Sequence, residues 1–167
     1  QNKMTVVKTY GDLPGLVMAM ALCNDVQLSE DNSVLGEPTE AALVNYALQQ
    51  NQNKNQLDQI MPRRGEAPFD SDRKMMSTVH ETSIGSYIQY TKGAPDEVIK
   101  VCTHVATPDG IEELTEAWRE EIACNNHSMA GQALRVLGFA SRVHDELPPN
   151  FSPEYLEREM VFLGLSG

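Results

Sequence analysis

The densest set of reactive side chains in the sequence is Pro68 to Ser77, PFDSDRKMMS, where an aromatic ring, Phe69, precedes two adjacent cations, Arg73 and Lys74. An exposed ring can stack on a nucleobase, a contact worth roughly 1–3 kcal/mol in nucleic-acid complexes. Lys74 is a mobile point charge able to meet a phosphate. The same residues also have a plainer reading, in which Phe69 is core and Arg73 with Lys74 a solvated pair. A second set, Thr91-Lys92-Gly93-Ala94-Pro95, ends a strand in a cation and continues with small residues and a proline. Gly93 and Ala94 let a ligand approach the backbone, and Pro95 fixes a helix start. No G-x-x-x-x-G-K-[ST] segment occurs, so Lys92 would act from a strand end beside a flat pocket, not from a phosphate-cradling loop. Glu40, in Gly36-Glu37-Pro38-Thr39-Glu40, is by itself a first-turn helix carboxylate, and Arg135 a surface residue on an alternating strand.

The elements that position these groups follow from capping and periodicity. Asp12 can cap a helix over Leu13 to Cys23, with Pro14 in its first turn, and a second helix starts near Glu37 to Glu40 with Leu43, Tyr46 and Ala47 as its apolar stripe. The polar run Gln49 to Gln56, QQNQNKNQ, is expected as a solvated helix end or loop that packs no core. Met75 to His80 and Tyr87 to Lys92, separated by Ser83-Ile84-Gly85-Ser86, read as a β-hairpin. A short helix follows from Pro95 to Val101, and Leu114, Trp118 and Ile122 mark one face of a longer one. Leu134 to Ser141 alternates as a strand, and Met4 to Val7 and Val161 to Leu165 are strand-like runs at the two ends. Antiparallel strands mixed with helices predict one α+β domain over 1–167, a mainly antiparallel sheet flanked by helices. Uncapped apolar strands at both ends read as those of a piece of a longer protein.

Composition narrows the classes of partner. Asp and Glu outnumber Lys and Arg by 24 to 13, a formal charge of −11, which repels nucleic-acid backbones and anionic membrane surfaces. A nucleotide remains compatible, because charges beyond a Debye length of ~8 Å are largely screened. No apolar run approaches the ~20 residues needed to cross a bilayer, so the stretch itself is expected to be soluble. Cys23, Cys102 and Cys124 are odd in number and scattered, which suits reduced thiols in a cytosol. The pairs Cys102 with His104 and Cys124 with His127 match no familiar structural zinc spacing.

Four segments taken together, GEPTEAAL from Gly36, PFDSDRKMMS from Pro68, KGAPDEVI from Lys92 and LRVLGFASR from Leu134, resemble in order and spacing the nucleotide-binding domain of P-type cation-transporting ATPases, and are most similar to the calcium-pump branch. Gln1 to Val6 resembles the segment after that family's DKTGT phosphorylation motif, and Phe162-Leu163-Gly164 the strand returning to the phosphorylation domain, with terminal strands over 1–9 and 160–167. The resemblance implies that Phe69 stacks on adenine, Glu40 meets the adenine amino edge and Lys92 lines the pocket near the base. It implies that Lys74 and Arg135 face the phosphates, with Gly93, Ala94 and Val136 in the wall. At Ser71 some animal calcium pumps carry a phosphate-touching arginine, so phosphate binding here would lean on Lys74 and Arg135. The implied function is to hold ATP, with Mg²⁺ in the longer protein, for transfer to an aspartate in DKTGT. The implied partners are the phosphorylation, actuator and transmembrane domains of one polypeptide, and the implied location is the cytoplasmic side of an integral membrane protein. No DKTGT occurs in these residues, so binding without hydrolysis is expected, from a monomer. Two other functions compete with this one: a self-sufficient nucleotide enzyme using Asp70 and Asp72, and an interaction domain that has lost nucleotide binding.

Overall fold

The computed structural model describes residues 7–31, 33–132 and 134–167. Polar side chains set most helix starts. Asp12 accepts the Gly15 amide at 2.9 Å and opens α1 (Leu13–Leu22). Glu37 accepts from Glu40 N at 3.1 Å to open α2 (Pro38–Gln49), and Asn53 accepts from Gln56 N at 3.1 Å to open α3 (Lys54–Ile60). α4 (Pro95–Lys100) lacks a side-chain cap and relies on Pro95, whose fixed φ and missing N–H suit a first turn. Thr115 caps α5 (Glu116–Ala130), and Ser152 caps α6 (Pro153–Leu156).

The strands are β1 (Val7–Thr9), β2 (Gln27–Leu28), β3 (Val34–Leu35), β4 (Arg63–Asp70), β5 (Met75–Glu81), β6 (Tyr87–Gly93), β7 (Cys102–Thr107), β8 (Gly110–Glu113), β9 (Leu137–His144) and β10 (Met160–Ser166). Apart from the small β2–β3 ribbon they form one sheet in the order β4-β5-β6-β9-β10-β7-β8. One long edge of β10 is shared: Met160 to Phe162 run parallel to β7, and Val7 to Thr9 of β1 pair antiparallel with Gly164 to Ser166. The remaining pairings of the sheet are antiparallel, as the α+β reading expects.

Pleat alternation assigns the two faces of this sheet to two cores. Met76, Tyr90 and Phe139 pack with Leu16, Met20 and Leu43 of α1 and α2 and with Leu57 of α3. Their neighbours Met75 and Ala140 join Val98 of α4, Ile122 of α5, and Phe162 and Leu165 of β10 on the other side. The central strands therefore lie between two helical layers. The central strands nonetheless bury several polar side chains, some of which bond to one another: Ser77 with Thr91 at 2.6 Å, Gln89 with Thr91 at 2.9 Å and His144 with Gln89 at 2.9 Å.

Three expectations are corrected. Gln49 to Gln56 is more than a solvated end, since Asn53 caps α3, Lys54 is buried and donates to the Ala21 carbonyl at 3.3 Å, and Leu57 enters the core. Leu114 precedes α5 instead of riding on it, because Thr115 takes the capping place. The strand expected from Leu134 starts at Leu137 and runs on to His144, leaving Arg135 and Val136 ahead of it. β7, β8, α6 and the length of β4 went unread. At the N-terminal end Val7–Thr9 is a strand, while Gln1 to Val6 lie outside the described residues.

Candidate nucleotide site

The β4–β5 hairpin, the end of β6 and the approach to β9 converge on one pocket. The Asp70 carbonyl accepts the Lys74 amide at 2.6 Å, and its Oδ1 accepts the Asp72 amide at 2.7 Å, which closes the turn between β4 and β5. Lys74 completes it with φ of 62°, a left-handed conformation uncommon outside glycine. The Ala94 amide donates to the Lys74 carbonyl at 3.0 Å and holds that residue against β6. A side chain at Gly93 is incompatible with this arrangement, because its Cβ would lie 2.2 Å from the Lys74 carbonyl oxygen. Gly93 thus serves first the close approach of two backbones, and the pocket wall second.

The pocket has a volume of about 400 Å³ and is lined by Phe69, Ser71, Lys74, Gly93, Ala94, Arg135, Val136 and Leu137. That volume falls within the range of small-molecule sites, and its mix of an aromatic face, aliphatic wall and two cations suits a flat base joined to an anion. Phe69 is 61% exposed, so its ring is available instead of belonging to the core. Lys74 and Arg135 place two positive charges on the wall, and no carboxylate lines it among the described residues. A local cationic site thus exists in a chain of net charge −11. Arg135 also donates to Thr39 Oγ1 at 3.4 Å, which links the pocket to the first turn of α2.

Seven of the nine residues expected from the sequence line this pocket, namely Phe69, Ser71, Lys74, Gly93, Ala94, Arg135 and Val136. Glu40 and Lys92 are brought together with each other instead. Lys92 is 6% exposed and its ammonium donates to Glu40 Oε2 at 2.5 Å, to the Cys23 carbonyl at 2.7 Å and to Met76 Sδ at 3.2 Å. Glu40 Oε1 in turn accepts the Asp25 amide at 3.3 Å. Lys92 is therefore a buried cation with its donors engaged, one residue from the pocket wall. Cys23, which packs beneath it, is a fully buried thiol whose pKa burial pushes up, with the Lys92 charge acting in the opposite direction. Sequence reasoning missed Leu137 as a lining residue, and its position beside Val136 at the start of β9 was the available signal. Among the described residues, no group of three His, Cys, Asp or Glu is placed to hold a metal ion.

The family model described as P-type ATPase, cytoplasmic domain N, matches residues 12–167. The chain is 40% identical to "Calcium-transporting ATPase 1" of Bacillus cereus, across 100% of this chain and 20% of that protein. It is 32% identical to "Calcium-transporting ATPase 1" of Lactococcus lactis, across 99% of this chain and 20% of the relative. It is 34% identical to the human "Calcium-transporting ATPase type 2C member 1", across 91% of this chain and 15% of the relative. The chain spans about a fifth of the length of the first two relatives. With the α+β fold and the motif-built pocket in place, the chain belongs to the P-type ATPase cytoplasmic domain N family.

Proposed function

We propose that this chain holds ATP and presents its γ-phosphate to the phosphorylation domain of an ion-pumping P-type ATPase, one that transports Ca²⁺, without hydrolysing ATP itself. The observation that carries this reading is the convergence of Phe69, Ser71, Lys74, Arg135 and the Gly93-Ala94 backbone on a single pocket from three distant stretches of sequence. Phe69 supplies a face for the base, and Lys74 and Arg135 supply charge for the phosphates, Arg135 as a planar fork and Lys74 as a point charge. In this reading Glu40, whose Oε2 accepts from Lys92 and which lies outside the pocket lining, is the carboxylate that meets the amino edge of adenine. Phosphoryl transfer depends on an acceptor held in line and on Mg²⁺ to neutralise the phosphate charge, and in this reading the acceptor and the metal-holding groups belong to the longer polypeptide. The names of the calcium-transporting relatives support Ca²⁺ as the transported ion in this reading.

Calorimetric titration of the chain with MgATP, alongside a coupled phosphate-release assay, tests both halves. The expected result is saturable binding with phosphate release at the level of the buffer control. Turnover that survives repurification would contradict the passive role, and no heat of binding at millimolar ATP would remove the nucleotide reading.

A further inference from the structure

Arg73 neighbours Lys74 in the sequence but is absent from the pocket lining, and its side chain is 19% exposed. Its guanidinium makes a two-pronged contact with Glu157, Nε donating to Oε1 at 2.6 Å and Nη2 to Oε2 at 3.2 Å. Nη2 also donates to the Pro68 carbonyl at 2.9 Å and to the Met75 carbonyl at 3.0 Å. Pro68 belongs to β4 and Met75 to β5, so one planar group ties together both arms of the turn that presents Phe69, Ser71 and Lys74. The Glu157 side chain is 3% exposed and accepts a further bond from Ser77 Oγ at 2.7 Å. Its backbone is fixed at the end of α6, where its amide donates to the Pro153 carbonyl at 2.8 Å.

This anchor acts where the sheet holds the turn weakly. β4 is an edge strand paired on one side, and its register with β5 shifts between Ala67 and Asp70, just before the turn. A buried ion pair adds little net stability compared with an apolar pair of the same shape, whereas a bidentate fork dictates orientation. We propose that Arg73 and Glu157 are positioning residues for the nucleotide pocket, a latch across 84 residues of sequence that sets how Phe69, Ser71 and Lys74 meet ATP, on the ATP reading given above.

The test is an amide NMR titration with MgATP of the full chain and of Arg73→Lys, Glu157→Gln and Ser77→Ala, at a temperature where each spectrum is that of a folded protein. Arg73→Lys keeps the charge but replaces the fork with a point donor, Glu157→Gln removes the charge at constant shape, and Ser77→Ala deletes one bond that orients Glu157. Misplacement of binding groups by about an ångström is enough for large losses, so the two charge-pair variants are expected to raise Kd about tenfold, and Ser77→Ala by several-fold. Ligand-free amide shifts should move within 69–74 while those of Lys92, Arg135 and Val136 hold, a pattern that general loss of stability does not produce. Folded variants with wild-type Kd overturn the latch, whatever the shifts beside the substituted residue, and leave the ATP reading standing. If the charge-pair variants do not fold, Ser77→Ala decides by the same criterion. A wild-type chain without shifts at millimolar ATP overturns both.

Discussion

Phe69 and Lys92 stand at opposite extremes of the same site. Phe69 is 61% exposed, so removing its ring deletes a ligand contact while costing the fold little. Phe69→Ala is expected to raise the Kd for ATP roughly 5- to 150-fold, the equivalent of about 1–3 kcal/mol of lost stacking, with stability changed by no more than about 0.5 kcal/mol. Calorimetry and a thermal melt on the same sample check both parts, and a variant that binds as tightly as wild type would show that the ring does not touch the base. Lys92 has three acceptors and little exposure, so its chemistry is consumed in holding Glu40 and the Cys23 carbonyl. The type and spacing of Phe69, Lys74 and Lys92 were legible in the sequence. The pairing of Lys92 with Glu40 was not, because 52 residues separate them and no local pattern links a first-turn glutamate to a distant strand end.

At the scale of elements, the β5–β6 hairpin and the helices α1, α2 and α4 were legible, since alternation, capping side chains and Pro95 act within a few residues. α3 was hidden by its composition: apart from Leu57 and Ile60 its residues are polar, and its place is set by the Asn53 cap and by the burial of Lys54 against the Ala21 carbonyl. The early start given to β9 had a different cause: Leu134, Arg135 and Val136 alternate apolar with polar, yet Arg135 and Val136 line the pocket instead of joining the ladder. The contact between β6 and the start of β5 yields a sharp prediction. Gly93→Ala places a methyl group 2.2 Å from the Lys74 carbonyl oxygen and 2.6 Å from Met75 Cβ, so the strands must part where Lys74 is held. The expected cost is about 1–3 kcal/mol of stability, together with weakened ATP binding. Chemical denaturation measures the first, and an unchanged unfolding midpoint would contradict the packing role assigned to this glycine.

For the molecule as a whole, the sheet interior fixes how stability depends on pH. His80 is fully buried, its ring nitrogens bonded to the Met61 carbonyl and to Thr78 Oγ1, and burial with the nearby Arg63 charge pushes its pKa down to about 4. Burial, aided by the Arg142 charge, likewise pushes His144 down to about 4. Unfolded, both would bind protons below about 6.5. The unfolded chain therefore gains protons that the folded one refuses, so this contribution is intact above pH 6.5 and is lost as pH falls from there toward 4. His80 accounts for up to about 3 kcal/mol over that window and the less enclosed His144 for less, and Tm should be level from pH 7 to 8 and fall below 6.5. A melting temperature that stays level down to pH 4.5 would contradict the buried neutral state. The same molecule sets a two-cation pocket in an acidic chain, and whether that pocket takes ATP is the central question. The direct measurement is a map of amide shifts as MgATP is added to the chain. The account predicts saturable shifts concentrated at Phe69, Ser71, Lys74, Gly93, Ala94, Arg135 and Val136. Shifts absent at millimolar ATP, or scattered over the α5 face away from these residues, would contradict it.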